Sequence, residues 1–269
     1  MKKVKTLAIL NLIFFGIAFT VSNLSQLKIF GGVTNKTISD KYDTIFTPAG
    51  VTFAIWGVIY LALFGFTIYK LIQSDRTDAH ASVSQDIYRI GYLFIINNIA
   101  TTLWVFAFTY EYLFLSVVLI FIQLFSLLKI FINLNLFDNN RLFTNKLFTQ
   151  FPLTIYFAWI CVASIANTSL YLISIGWDGF GIAPSLWAII MIIVTIVLSV
   201  FIVKFKRNPF FGLVVIWALY GIVLKRTAVD EIAYSNVILT AWIGIGVLSM
   251  LTLFQFYKIA TYKKHELNA

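Results

Sequence analysis

Residues 113–128 read LFLSVVLIFIQLFSLL, with apolar side chains on both alternating faces. A membrane-crossing β-strand would run for about 10 residues and alternate polar with apolar positions, so a barrel does not fit this stretch. A helix does. About 20 apolar residues rising 1.5 Å each cross roughly 30 Å of hydrocarbon and satisfy their own backbone hydrogen bonds on the way. Working outward, the same kind of block recurs, and the pattern predicts helices over 6–26, 47–73, 88–109, 112–134, 147–175, 183–203, 209–225 and 235–258. The fold class expected is therefore all-α, a polytopic transmembrane bundle of about eight spans. Composition agrees: 60% of the 269 residues are hydrophobic and 12% charged. That is well above the roughly 45–50% apolar content of a soluble domain.

Three lysines, Lys2, Lys3 and Lys5, precede the first block, but its apolar run continues to Val21 without an A-x-A-like cleavage site, so a retained helix is expected rather than a signal peptide. Charge placement tests the helix count. With eight spans, one side holds only Lys28, Lys36, Lys41, Lys225 and Arg226. The other 15 of the 20 basic residues fall on the side of the two termini. Because cytoplasmic loops are enriched in Lys and Arg, both termini are expected in the cytoplasm. The formal charge of +9 is thus explained by topology, and nucleic acid is not an expected partner; the lipid bilayer is. Cys161, the sole cysteine, lies within an apolar block, so no intrachain disulfide is available.

No charged residue is expected near the middle of a span, which disfavours an ion-coupled pump and a retinal Schiff base, both of which need one. The spans instead carry aromatic and polar stripes at helical spacing: Phe53, Trp56 and Tyr60; Asn98, Thr101, Trp104 and Phe108; and Tyr156, Trp159, Ala163 and Asn167. Buried carboxamides need partners away from lipid, so these faces turn inward. Spacing alone leaves two readings open, helix packing or a lining for a flat apolar ligand. The loop at about 27–46, which ends at Pro48, is long enough to be either a lid or a plain linker. Tyr110 and Glu111 predict a tight turn between antiparallel neighbours.

The same residues carry a family resemblance. The run FTPAGVTFAIWGVIYLALFGFTIY, residues 46–69, resembles the second-helix signature of the TspO/MBR family, the tryptophan-rich sensory proteins and translocator or peripheral benzodiazepine receptor proteins, through Pro48, Trp56, Tyr60 and Gly65. Asn98 with Trp104 resembles the third-helix signature, and IYFAWICVASIAN, residues 155–167, the fifth. Gly50, Thr101 and Ile155 depart from the family pattern, standing where tryptophan, tryptophan and proline are common.

These motifs cover roughly residues 1–177. The resemblance implies a five-helix core over 1–177 and an extension of three further helices over 178–269, as in longer bacterial homologues. It also implies a pocket opening toward the first loop for a porphyrin-type tetrapyrrole or sterol-like molecule, with no cofactor required. By position, Pro48, Phe53, Trp56, Tyr60, Asn98, Trp104, Tyr156, Trp159, Ala163 and Asn167 become the candidate ligand-binding residues. The expected function that the resemblance implies is that of a bacterial inner-membrane sensor or binding protein, coupled to ligand transport or stress signalling, and not that of an enzyme. A homodimer is a candidate assembly. The alternative is a transporter of a small apolar solute that uses all eight spans. An intramembrane enzyme would need convergent acid and base groups, whereas Glu111, Asp178, Asp230 and Glu231 are all expected in loops.

Overall fold

A computed structural model describes residues 2–74, 81–136, 138 and 141–267. Arg76 and His80, and the side chains of Lys2, Lys263, Lys264 and His265, lie outside the described residues. The described residues form helices joined by turns and loops: α1 (Lys2–Gln26), α2 (Asn35–Lys41), α3 (Ile55–Gln73), α4 (Ala81–Ile90), α5 (Leu93–Thr109), α6 (Leu113–Leu134), α7 (Phe143–Asn145), α8 (Phe151–Ser174), α9 (Pro184–Phe205), α10 (Pro209–Asp230) and α11 (Ser235–Leu267). Among the described residues, seven helices are long and apolar enough to cross a membrane, or eight if α4 and α5 form one bent span. The protein is an all-α membrane protein.

Two compact units emerge. The first comprises residues 1–43, 55–136 and 141–175, and the second residues 44–54, 137–140 and 176–269. In the first unit α5 packs along α6, α6 along α8, and α1 along both α3 and α5. The expected tight turn joins α5 to α6, with Glu111 in the left-handed region (φ 60°). In the second unit α11 packs on α9 and α10. The residues 44–54, which end in a 3-10 turn at Gly50–Ala54, pack on α10.

Several sequence expectations are corrected. The predicted helix 88–109 is two helices, because Gly91 adopts φ 53° and turns α5 by 53° from α4. Helix α4 is amphipathic: Asp86, Ile87 and Ile90 are buried, while Tyr88 and Arg89 are exposed. The helix expected from 147 starts at 143 and passes through a π-turn over Lys146–Gln150 before α8. Pro152 has no N–H to donate one turn back, and the register shifts so that the Phe151 amide reaches the Lys146 carbonyl. The wide turn brings Phe148 against Gly65, where a Cβ would lie 3.3 Å from the ring, and Phe148 stacks on Tyr69 at 5.4 Å.

The helix predicted to end at 225 continues to Asp230, so Arg226, expected beyond its end, lies within α10 together with Lys225. Nothing after Leu224 breaks a helix, and the Arg226 guanidinium, fully buried, sits 5.2 Å from the Tyr234 ring. Lys70, also counted among loop charges, is buried in the last turn of α3. It follows Ile59, Leu63 and Phe66 on one face, and the Asp86 carboxylate, 2.9 Å from its Nζ, makes its burial tolerable.

Candidate functional site

The chemistry of the first unit is arranged at separate levels along its helices. At one end the first loop is a structured lid. Thr34 caps α2 and forms a reciprocal capping box with Thr37, which nucleates a helix of only seven residues. Ile38 on its inner face packs against Phe108, Leu113 and Leu170, with Trp104 and Tyr171 beside them. Phe30 meets Phe106 at 4.8 Å.

A polar clasp closes the lid. Lys41 Nζ lies 2.6 and 2.7 Å from the Glu111 carboxylate oxygens, and the Tyr42 hydroxyl donates to Glu111 Oε2 at 2.7 Å. The left-handed backbone of Glu111 at the α5–α6 turn presents that carboxylate. Its hydrogen bonds from Lys41 and then Tyr42 hold the Glu111 carboxyl below the usual carboxylate range. The same bonds raise the Lys41 ammonium and the Tyr42 phenol above their ordinary values.

Beneath the lid, Trp104 stacks on Phe108 at 4.8 Å and donates its indole N–H to Asn167 Oδ1 at 2.7 Å. Asn167 in turn donates to Ser116 Oγ at 2.9 Å. One carboxamide thus ties α5, α6 and α8 together.

Eleven residues away on α8, or roughly 16 Å at the helical rise, lies a box of rings. Trp56 stacks on Tyr60 with centroids 5.3 Å apart and meets Tyr156 edge-on at 6.0 Å and Trp159 at 6.3 Å. Tyr60 also touches Phe19 and Phe15 of α1 at 5.4 and 6.5 Å. Tyr156 and Trp159 are buried, whereas Trp56 and Tyr60 are half-buried and keep ring surface available.

A hydrogen-bond network that spacing alone did not single out orients this box. The Tyr156 hydroxyl donates to Asn97 Oδ1 at 2.8 Å and lies 3.0 Å from Thr101 Oγ. Asn97 donates to Ser126 Oγ and the Gln123 carbonyl, and Thr101 reaches Gln123 Oε1 at 3.0 Å. All five residues are buried. Ser116, Gln123 and Ser126 follow one another at seven and three residues within the apolar run of α6, so that polar face was legible in principle.

At the end of the first unit away from the lid, Asp86 of α4 joins Lys70 Nζ at 2.9 Å, Arg141 Nη1 at 2.8 and 2.9 Å and Asn145 Nδ2 at 3.1 Å. Arg141 also donates to the Leu134 carbonyl. The cluster locks the end of α3 to α4, α6 and α7. It is a structural knot of satisfied charges.

The structure therefore brings Trp56, Tyr60, Tyr156 and Trp159 into one cluster and Trp104 with Asn167 into another. Ala163 is half-buried between them on α8. Asn98 is buried but donates to the Phe94 carbonyl of its own helix at 2.7 Å, so its neighbour Asn97 takes the interhelical role. Pro48 and Phe53 group with the second unit, where Pro48 is buried against α10 and Phe53 is half-buried. A shallow groove of about 410 Å³ runs along Ile13, Gly16, Ile17, Thr20 and Val21. At 100° per residue, that is the opposite side of α1 from Phe15 and Phe19.

Fold and site together define a polytopic helical membrane protein whose spans converge aromatic rings and carboxamides under a short, clasped lid. The chain belongs to the TSPO-like protein family, whose profile matches residues 8–254. The match continues through the three C-terminal helices, which the motifs alone did not reach. No curated protein and no solved structure matched significantly.

Proposed function

We propose that the protein binds a flat apolar molecule of the porphyrin-type tetrapyrrole or sterol-like kind at the Trp56–Tyr60–Tyr156–Trp159 box, as a membrane sensor or binding protein rather than an enzyme. The observation that carries this reading is the box itself: two buried rings with two half-buried ones packed against them, tilted by a polar network that spends Tyr156's hydroxyl on orientation. Rings at 24° to 85° to one another offer both faces and edges, and a planar π-ligand gains from stacking on either. The ligand enters by separating Trp56 and Tyr60 from the Tyr156–Trp159 pair, since the rings occupy the space between them. Trp104 and Asn167 make a second, more polar level under the lid, suited to a ligand's hydrogen-bonding edge.

Titration of the detergent-purified protein with protoporphyrin, followed by tryptophan fluorescence, tests this. Saturable quenching is expected, with apparent affinity at least about tenfold weaker in a Trp56→Phe, Trp159→Phe double variant, a loss of roughly 1.4 kcal/mol. Equal affinity in a folded double variant contradicts the box as the site.

The transporter reading draws on the interruptions at Gly91 and at Lys146–Gln150, since broken helices often line transport sites. Both fall in the first unit, while α9 and α10 run unbroken. Internal repeats with paired breaks are therefore not the pattern here. Uptake of a labelled ligand into proteoliposomes distinguishes the two, because a binding protein saturates at one equivalent whereas a transporter accumulates ligand with time.

A further inference from the structure

The end of the first unit away from the lid carries a surface that neither the aromatic box nor the buried knot uses. Helix α4 has the make-up of a helix that lies in a membrane surface: Asp86, Ile87 and Ile90 are buried, whereas Gln85, Tyr88 and Arg89 are exposed. Its 53° turn from α5 sets it at an angle to that span. Helix α5 itself has 17 residues, or about 25 Å of rise, slightly less than the hydrocarbon core, so α4 and Tyr92 begin where the headgroups do. Tyr88 and Tyr92, both exposed, suit that depth, with an apolar ring and a hydroxyl for the polar layer.

Basic side chains gather at the same corner. Lys3 Nζ sits 5.4 Å from the Tyr88 ring centroid. Asn133 of α6 donates its side-chain N–H to the Arg89 carbonyl at 3.1 Å, which seats Arg89 against the α6 face that also carries Phe125, Lys129 and Ile132. All four of these α6 residues are exposed. Phe125 and Ile132 offer apolar surface for an acyl chain. Lys129 lies about 7 Å inside the end of α6, close enough for its stem to run along that surface and place the ammonium at headgroup level. Among the described residues of the first unit, the carboxylates are Asp40, Asp43 and Glu111 at the lid end and Asp86, which is buried and holds Lys70 and Arg141. None of them is left to balance Lys3, Arg89 and Lys129.

We propose that the α4–α6 corner is a headgroup site for an anionic phospholipid, with Arg89 and Lys129 on the phosphate and Asn133 holding Arg89 in place. A guanidinium presents paired donors that match two phosphate oxygens, and basic clusters beside a span attract anionic headgroups. A lipid fits better than a soluble anion because Lys129, Phe125 and Ile132 all lie within the length of a span. The inference involves residues of the first unit only and is independent of the aromatic box.

The test is native mass spectrometry of the full-length, detergent-purified protein titrated with phosphatidylglycerol and with phosphatidylcholine of the same acyl chains. Wild type is compared with Arg89→Gln, with Lys129→Gln, with the two combined, and with a Lys28→Gln, Lys36→Gln control that removes the same two charges from the lid end. Wild type is expected to bind phosphatidylglycerol on the order of tenfold more tightly than phosphatidylcholine, with the preference lost in the combined variant and kept in the control. The single variants, each losing part of the preference, decide the matter if the combined variant does not fold. Equal affinity of wild type for the two lipids overturns the site, and a preference unchanged in the corner variants overturns its location. Displacement of phosphatidylglycerol by excess inorganic phosphate makes the occupant a soluble anion and overturns the lipid assignment, whereas retention supports it.

Discussion

Tyr156 shows how much one side chain can carry when lipid surrounds the bundle. Its ring edge meets Trp56 and its hydroxyl satisfies Asn97 and lies beside Thr101. Interhelical hydrogen bonds in membranes contribute about 0.6 kcal/mol on average and up to about 1.7. Leaving a buried acceptor unmet costs about 1–3 kcal/mol. Tyr156→Phe is therefore expected to lower unfolding stability in a denaturing-detergent titration by about 1–2 kcal/mol while keeping the ring contact with Trp56. A variant as stable as wild type would show that the network is ornamental. The same neighbourhood explains why the sequence pointed to Asn98. The stripes Asn98–Thr101–Trp104–Phe108 and Asn97–Thr101–Trp104–Phe108 have spacings of three, three, four and four, three, four, and periodicity does not separate them. Only the position of α6, with Gln123 and Ser126 facing Asn97, selects between the adjacent carboxamides.

Among elements, the lid helix was least legible and is the most sensitive to conditions. Seven residues, NKTISDK, do not make a stable helix by themselves, and α2 exists because Thr34 caps it, Ile38 buries under it and Glu111 clasps it from 70 residues away. By contrast, the spans were readable because their length and polarity are set by the bilayer and not by particular partners. The breaks at Gly91 and the π-turn before Pro152 lay between, signalled by the residue types but fixed in angle by packing. The clasp has a pH window with two edges. Glu111's folded pKa is depressed, so its contribution is complete above the ordinary carboxylate value and is lost as pH falls through the lower folded one. Lys41's is raised, so its contribution is complete below the ordinary lysine value and is lost as pH rises through the higher folded one. The lid is expected to stay protected from roughly pH 5 to pH 10 and to open in acid. Glu111→Gln should expose 35–42 to protease at neutral pH. Protection that is flat with pH and unaffected by the variant would show that Ile38's packing alone holds the lid.

At the scale of the whole molecule, the two units are stabilised by different means. The second is closed by small residues that admit near neighbours: Gly212 beside Thr252 and Val203, and Gly244 beside Ile196 and Leu219. The first adds the buried knot of Lys70, Asp86, Arg141 and Asn145, in which Asp86's partners lie 16 to 59 residues from it in sequence. Read along the chain, those charges looked like loop charges; only the folded arrangement shows them converging. Removing one partner of a buried ion pair costs about 3–5 kcal/mol, several times the Tyr156 network's share, because it leaves the other charges uncompensated. Asp86→Leu is accordingly expected to be the most destabilising of the substitutions considered, measured by the same detergent titration. A loss below about 1 kcal/mol would place the knot in contact with water. The family match over 8–254 spans both units, and the ligand-binding role proposed for the aromatic box is a claim about the first. The most direct test of that claim is photo-crosslinking with a diazirine-bearing protoporphyrin followed by peptide mapping. Label concentrated on residues 55–60 and 156–159, and displaced by unmodified protoporphyrin, is the result expected. Label confined to the α1 groove at 13–21 or to α9–α11 would contradict it.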